Sequence, residues 1–233
     1  YSRRPTRPTM RQLILDLIPD HPPTLENFAA GSNADALTAI AAWLSAQNRE
    51  TCLFLWGESG AGKTHLLRAC GIESVSTYVD AATDPDLSTL TADSTFIAVD
   101  NVEALSGTGQ ISLFNHFNRL RTVGGRLIAA AEAPPLQMKQ TLREDLRTRL
   151  GSGLIFRLRP LSDSEKIATL SAQAMQRGMR LSPEALDYVL ARAPRDMRSL
   201  SAFLAALDRY SLEHKRPLTM PLLREVLQAP LEF

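Results

Sequence analysis

The chain has 233 residues, 44% hydrophobic and 22% charged, enough apolar material for one large domain or an ordinary domain with a small companion. Its 26 basic residues against 25 acidic ones leave a net charge of +1, without the basic excess of a general nucleic-acid binder. Two cysteines make no secreted disulfide framework, no apolar stretch reaches the ~20 residues of a membrane span, and the N-terminus lacks a signal-peptide core. These features point to a cytoplasmic protein with Cys52 and Cys70 reduced.

Residues 1–24 read as a flexible tail. Arg3, Arg4 and Arg7 stand among Pro5 and Pro8, and Pro19, Pro22 and Pro23 close it; prolines at that density block helix and central strand alike. Between them lies one apolar island, Gln12 to Ile18. In an extended segment Leu13, Leu15 and Leu17 share one side, so they suit an apolar groove while Gln12 hydrogen-bonds at its end. An arm packed on its own domain is the other reading.

Residues 25–160 alternate helix and strand signals. Ala34 to Ala46 carries Leu37, Ile40, Ala41 and Leu44 at helical spacing. Cys52 to Trp56 is a short apolar strand, and the next eight residues, Gly57-Glu58-Ser59-Gly60-Ala61-Gly62-Lys63-Thr64, satisfy GxxxxGK[ST]. The glycines let backbone N–H groups close around phosphates, and helix residues His65 to Cys70 add the positive end of a dipole. Lys63 would reach the β- and γ-phosphates, and Thr64 would offer its hydroxyl to Mg²⁺.

Val75 to Val79 and Phe96 to Val99 are the next strands, the latter ending in Asp100 in the manner of a Walker B strand. A second acid usually follows, to orient the attacking water. Here it is Asn101, whose amide can bond a water but cannot accept its proton, so intrinsic hydrolysis is expected to be slow. A plain turn residue is the other reading of Asn101. Glu103, two residues further on, is not expected to substitute. A helix near 110–122 precedes a strand at Leu127 to Ala131, which ends in Ala129-Ala130-Ala131-Glu132, without the usual polar sensor 1 residue unless Glu132 serves. A helix over 136–150 and a strand at Leu154 to Leu158 complete five strands, implying a parallel sheet covered on both faces.

After Pro160 strand signals stop. Ser162 and Glu165 form a capping box, Ser182 with Pro183 opens a second helix, Arg195 to Lys215 gives a third and Pro221 to Leu227 a fourth. Residues 161–233 are therefore a small helical domain. His21, His65, His116 and His214 show no metal-ligand spacing.

Several strings go further. The phosphate loop runs on as Gly62-Lys63-Thr64-His65-Leu66-Leu67, and Thr24 to Asn33 looks like a leading segment that wraps an adenine. Leu146-Arg147-Thr148-Arg149-Leu150 looks like a box carrying an arginine finger, and Arg195-Asp196-Met197-Arg198-Ser199-Leu200 like the sensor 2 motif of a lid. In this order they resemble the DnaA branch of AAA+ proteins, from about residue 12 to the end. The chain ends at Phe233, where DnaA continues into a DNA-reading domain, and only residues 81–94 join its second and third strands. With the leucine island, these features are similar to the Hda family, whose members shut off DnaA.

The resemblance implies an α/β fold: an AAA+ P-loop NTPase domain with a five-stranded parallel sheet, plus a small C-terminal all-helical lid domain. It implies ADP or ATP with Mg²⁺, held by residues 57–64, His65, Asp100 and Arg198, with Thr64 and Asp100 on the metal. It implies two partners, ATP-bound DnaA and the sliding clamp (the β subunit of DNA polymerase III), the clamp met through Gln12, Leu13, Leu15 and Leu17. Arg149 would enter the active site of DnaA as a trans finger, with Arg143 and Arg147 as rivals for that role, and Arg198 would couple nucleotide occupancy to the lid. Neither sequence-specific DNA binding nor a membrane is expected, and a homo-oligomer and a monomer are both compatible with these residues. A helicase loader or free-standing ATPase related to DnaA, and an adaptor without a finger, are the alternatives.

Overall fold

The computed structural model describes residues 22–45, 49–71, 76–194, 196–214 and 219–228. The island with Gln12, Leu13, Leu15 and Leu17, and Arg195 of the lid motif, lie outside the described residues. The chain forms two compact units, one of residues 22–161 and one built on residues from 162 onward.

In the first unit the elements are α1 (Ala34–Leu44), β1 (Cys52–Trp56), α2 (Lys63–Cys70), β2 (Ser76–Asp80), β3 (Phe96–Asp100), α3 (Gly107–Val123), β4 (Arg126–Ala131), α4 (Glu144–Leu150) and β5 (Leu154–Arg157). The strands form one parallel sheet in the order β2-β3-β4-β1-β5, the α/β architecture expected from the alternation of signals. Side chains alternate between its faces, and both are buried. Phe54, Ile97, Val99 and Leu127 pack with Leu113 and Phe117 of α3 and Leu146 of α4. Leu53, Leu55, Ala98 and Ile128 pack with Ile40 and Trp43 of α1 and Leu66 of α2.

Two boundaries depart from expectation. The helix expected over 136–150 is a 3-10 turn at Pro135–Gln137, a loop, and α4 only from Glu144. Gln110 of α3 supplies the reason. Its Nε2 donates to Leu105 O at 3.2 Å and Thr141 O at 3.0 Å, and its Oε1 accepts from Arg143 N at 2.8 Å. One buried amide thus satisfies backbone groups that a continuous helix would have paired. Helix α3 also begins earlier than expected, at Gly107, because the Ser106 hydroxyl caps it by accepting from Gly109 N at 3.0 Å. Glycine is needed at 109, since a Cβ there would lie 2.0 Å from Pro85 O.

The second unit is helical: α5 (Asp163–Gln176), α6 (Pro183–Arg192), α7 (Met197–His214) and α8 (Met220–Gln228). The capping box is present, with Ser162 N donating to Glu165 Oε2 at 2.7 Å and Glu165 N to Ser162 Oγ at 3.3 Å. Asp196 Oδ1 accepts from Ser199 N at 2.8 Å, so α7 starts at Met197. Leu170, Leu186, Val189, Leu200, Leu207 and Leu222 fill its core. Among the described residues no helix is long and apolar enough to cross a membrane.

Candidate functional site

The C-terminal ends of parallel strands are where an open α/β sheet presents ligands, and residues 57–64 follow the end of β1 while Asp100 and Asn101 stand at the end of β3. Residues 57–62 leave β1 and enter α2 without any side chain capping that helix. Its first N–H groups therefore lack intrahelical acceptors, the arrangement that receives phosphate oxygens. Gly62 has φ +91°, and a Cβ there would fall 2.5 Å from the ring of Phe28, so the last glycine is the floor on which the leading segment rests. Lys63 is buried, and its Nζ donates to Gly57 O at 2.7 Å and Glu58 O at 3.0 Å. An ammonium has three protons, so one donor direction remains for a phosphate. Ala61 is buried, whereas Glu58, Ser59 and Gly60 are exposed on the loop.

Thr64 Oγ1 donates to Asp100 Oδ2 at 2.5 Å. Hydroxyl and carboxylate oxygens are the donors Mg²⁺ takes, and the two are side by side. The residues present fit both groups: a glycine-built cradle with an ammonium for phosphates, and a pair of hard oxygens for the metal. His65 is set differently from its neighbours. Its Nε2 is 2.9 Å from Thr24 O, and its ring centroid is 5.5 Å from that of Phe28. Burial holds its pKa below the ordinary 6.5, so the ring stays neutral and ties the leading segment to α2.

Three further residues surround Asp100 that sequence reasoning missed. Tyr78 of β2 donates its hydroxyl to the same Oδ2 at 3.2 Å, and Arg68 of α2 covers the Tyr78 ring at 4.7 Å. Burial first, then the Asp100 charge, push the Tyr78 phenol up to about 12, so it remains a donor. Asp80, in register with Asp100, accepts from Asn101 Nδ2 at 2.7 Å. Asn101 itself turns left-handed at φ 53° and ψ 48°. Its amide nitrogen is thus committed to β2. The signal for Tyr78 and Asp80 was their i, i+2 spacing at a strand end, usable only once the register of β2 on β3 is known.

Arg149 lies on α4 with its guanidinium 6.0 Å from the Phe117 ring centroid. It lines an open groove with Phe114, Arg143, Glu144, Asp145 and Thr148. Arg143 is held by Asp145, with Nε to Oδ1 at 3.3 Å and a guanidinium nitrogen to Oδ2 at 3.1 Å. Arg147 shares α4. Arg198 is exposed in the first turn of α7, in the helical unit.

The family described as "Hda, lid domain" matches residues 163–227, and the "Bacterial DnaA ATPase domain" matches residues 20–93. A protein of Haemophilus influenzae, described as uncharacterized, is 31% identical over 229 residues, covering 93% of this chain and 98% of its own. Domain III of the Thermotoga maritima replication initiation protein DnaA superposes with a TM-score of 0.69 at 21% identity, over 90% of this chain and 97% of that one. DnaA from Aquifex aeolicus, solved with AMPPCP bound, gives 0.64 at 22% identity, over 85% and 71%.

Proposed function

The chain belongs to the Hda/DnaA-like AAA+ proteins, and from that premise we propose that it is a cytoplasmic negative regulator of replication initiation that promotes hydrolysis of DnaA-bound ATP. In this reading an adenine nucleotide with Mg²⁺ sits on residues 57–64, with Thr64 and Asp100 toward the metal. The bound group supplies negative charge that Lys63 and the N-terminus of α2 balance. Lys63 and the loop N–H groups fix the phosphates, Tyr78 and Thr64 orient Asp100, and Arg198 answers nucleotide occupancy from the lid. Gln12, Leu13, Leu15 and Leu17 dock the chain on the DNA-loaded sliding clamp, three leucines contributing about 1.5–3 kcal/mol each before ordering costs.

The observation that carries the proposal is the state of the two arginines on the groove. Arg143 already has a carboxylate, whereas Arg149 is held by the face of an aromatic ring. A cation–π contact orients a guanidinium and leaves its N–H edge available, so Arg149 suits a finger that reaches into the active site of another subunit. Such fingers are worth about 10³–10⁵ in rate.

The test is hydrolysis of DnaA-bound ATP with clamp, DNA and this protein. Arg149→Ala is expected to reduce stimulation to background while Arg143→Ala keeps most of it. Native stimulation by Arg149→Ala would refute the finger. Deleting residues 10–18 should abolish clamp capture and spare nucleotide binding.

A further inference from the structure

Asn33 is the last residue before α1, the position from which an asparagine ordinarily caps a helix with its side chain. It makes no such bond. Its amide, in a residue only 4% exposed, instead takes both backbone groups of one distant residue. Asn33 Nδ2 donates to Arg159 O at 2.9 Å, and Arg159 N donates to Asn33 Oδ1 at 2.8 Å. A primary amide offers a donor and an acceptor side by side, so one side chain satisfies the chain just past β5.

Arg159 stands where three segments meet. Leu158 N donates to Trp56 O at 2.7 Å, and a Cβ on Gly57 would lie 2.2 Å from Leu158 O, so the chain past β5 presses on the root of the phosphate loop. The leading segment that ends in Asn33 touches the phosphate loop and α2 twice more. Phe28 lies against Gly62, and Thr24 O is 2.9 Å from His65 Nε2. These contacts close a circuit through the cradle: 33 to 159, 158 to 57, 62 to 28 and 65 to 24. The helical unit begins at Ser162, three residues beyond Arg159.

We infer that Asn33 is a positioning residue that ties the chain's exit toward the helical unit to the nucleotide cradle, so that filling the cradle resets the helical unit. The inference rests on the nucleotide reading above and adds a route that does not pass through Arg198. Phosphates that take the loop N–H groups draw residues 57–62 into one conformation. Leu158 abuts that loop, and Arg159, held by Asn33, cannot shift without the leading segment. Without the amide the loop still binds phosphates, but the exit path loses the two bonds that make it follow the loop.

The test uses the full-length chain with spin labels at Thr122→Cys in the first unit and Met175→Cys in the helical unit. Both sites are exposed, whereas Cys52 and Cys70 are buried and stay unlabelled. Label-to-label distances are read by double electron–electron resonance with and without ADP. With Asn33 in place, ADP is expected to shift and narrow the distribution. Asn33→Ala is expected to bind ADP within about threefold of that affinity, because Lys63 and the loop N–H groups are untouched, yet to lose most of the shift. Asn33→Asp is the sharper arm. At about pH 7 its carboxylate accepts from Arg159 N but has no proton for Arg159 O; protonated by about pH 5, which burial favours, it again offers donor and acceptor, and the shift should return. The chain with Asn33 should shift alike at both pH values.

A merely structural role would lower the melting temperature of both variants without any recovery of the shift on acidification. That result overturns the inference, as does an ADP-bound native chain that shows no shift, a full shift in Asn33→Ala, or ADP affinity lost in step with the shift. Should Asn33→Ala fail to fold, the aspartate variant decides alone. A native chain that does not bind ADP removes the nucleotide reading itself, a failure distinct from these.

Discussion

At the end of β1 the ligand surface is made of backbone: residues 57–62 are mostly glycine or small, helix α2 is left uncapped, and Lys63 brings a buried ammonium. At the end of β3 it is made of side chains that hold one another. Asp100 takes bonds from Thr64 and Tyr78, and Asp80 takes one from Asn101. The first construction needs one contiguous string of residues and tolerates few changes within it. The second draws on two strands and a helix, and its parts have meaning only in register. A ligand cradle can thus be built locally, whereas control over what happens in it is distributed.

The largest expected effect falls on the backbone side. Lys63→Ala removes the one buried ammonium of the cradle, and nucleotide affinity measured by calorimetry should drop at least about 100-fold, as expected for loss of a charge-assisted phosphate contact. Gly62→Ala comes next: a Cβ at φ +91° would collide with Phe28, so unfolding free energy should fall by about 1–3 kcal/mol, with the leading segment displaced. Native stability in that variant would break the contrast. On the side-chain side, Asn101→Asp puts a carboxylate against Asp80 and should cost about 1–2 kcal/mol in denaturant melts. Tyr78→Phe removes one bond to Asp100 and should weaken Mg²⁺-dependent nucleotide binding by about 0.5–1.5 kcal/mol, leaving Mg²⁺-independent binding unchanged. If both modes weaken equally, Tyr78 does not act through Asp100.

The smallest effect concerns pH. Burial, helped by Glu50, pushes the Cys52 thiol from 9.0 up to about 12. The folded pKa is the higher one, so this stabilisation is complete below pH 9 and is lost as pH climbs from there toward 12. Alkylation of Cys52 in the folded chain at pH 8 should accordingly be far slower than in the unfolded chain.

The same contrast explains what was legible in the sequence. The string from Gly57 to Thr64, its flanking strand and helix, and the five apolar runs carry local signals, and the parallel sheet follows from them. The capping residues Ser162 and Ser182 likewise act within three residues of themselves. The break before α4 was not legible, because Gln110 bonds Thr141 and Arg143 some thirty residues away. Nor was the setting of Asn101. Its position after Asp100 suggested a water-binding amide, but only the pairing of Asp80 with Asp100 shows where that amide is held.

That turn also limits how residue 101 can drift under mutation. Glutamate there would have to adopt a left-handed backbone that long side chains resist by about 1–2 kcal/mol. Aspartate accepts the backbone but meets Asp80 head on. A second acid at this strand end therefore requires paired replacement of residues 80 and 101, and either change taken singly runs against stability. The two positions work as a ratchet on the chain's mutational paths.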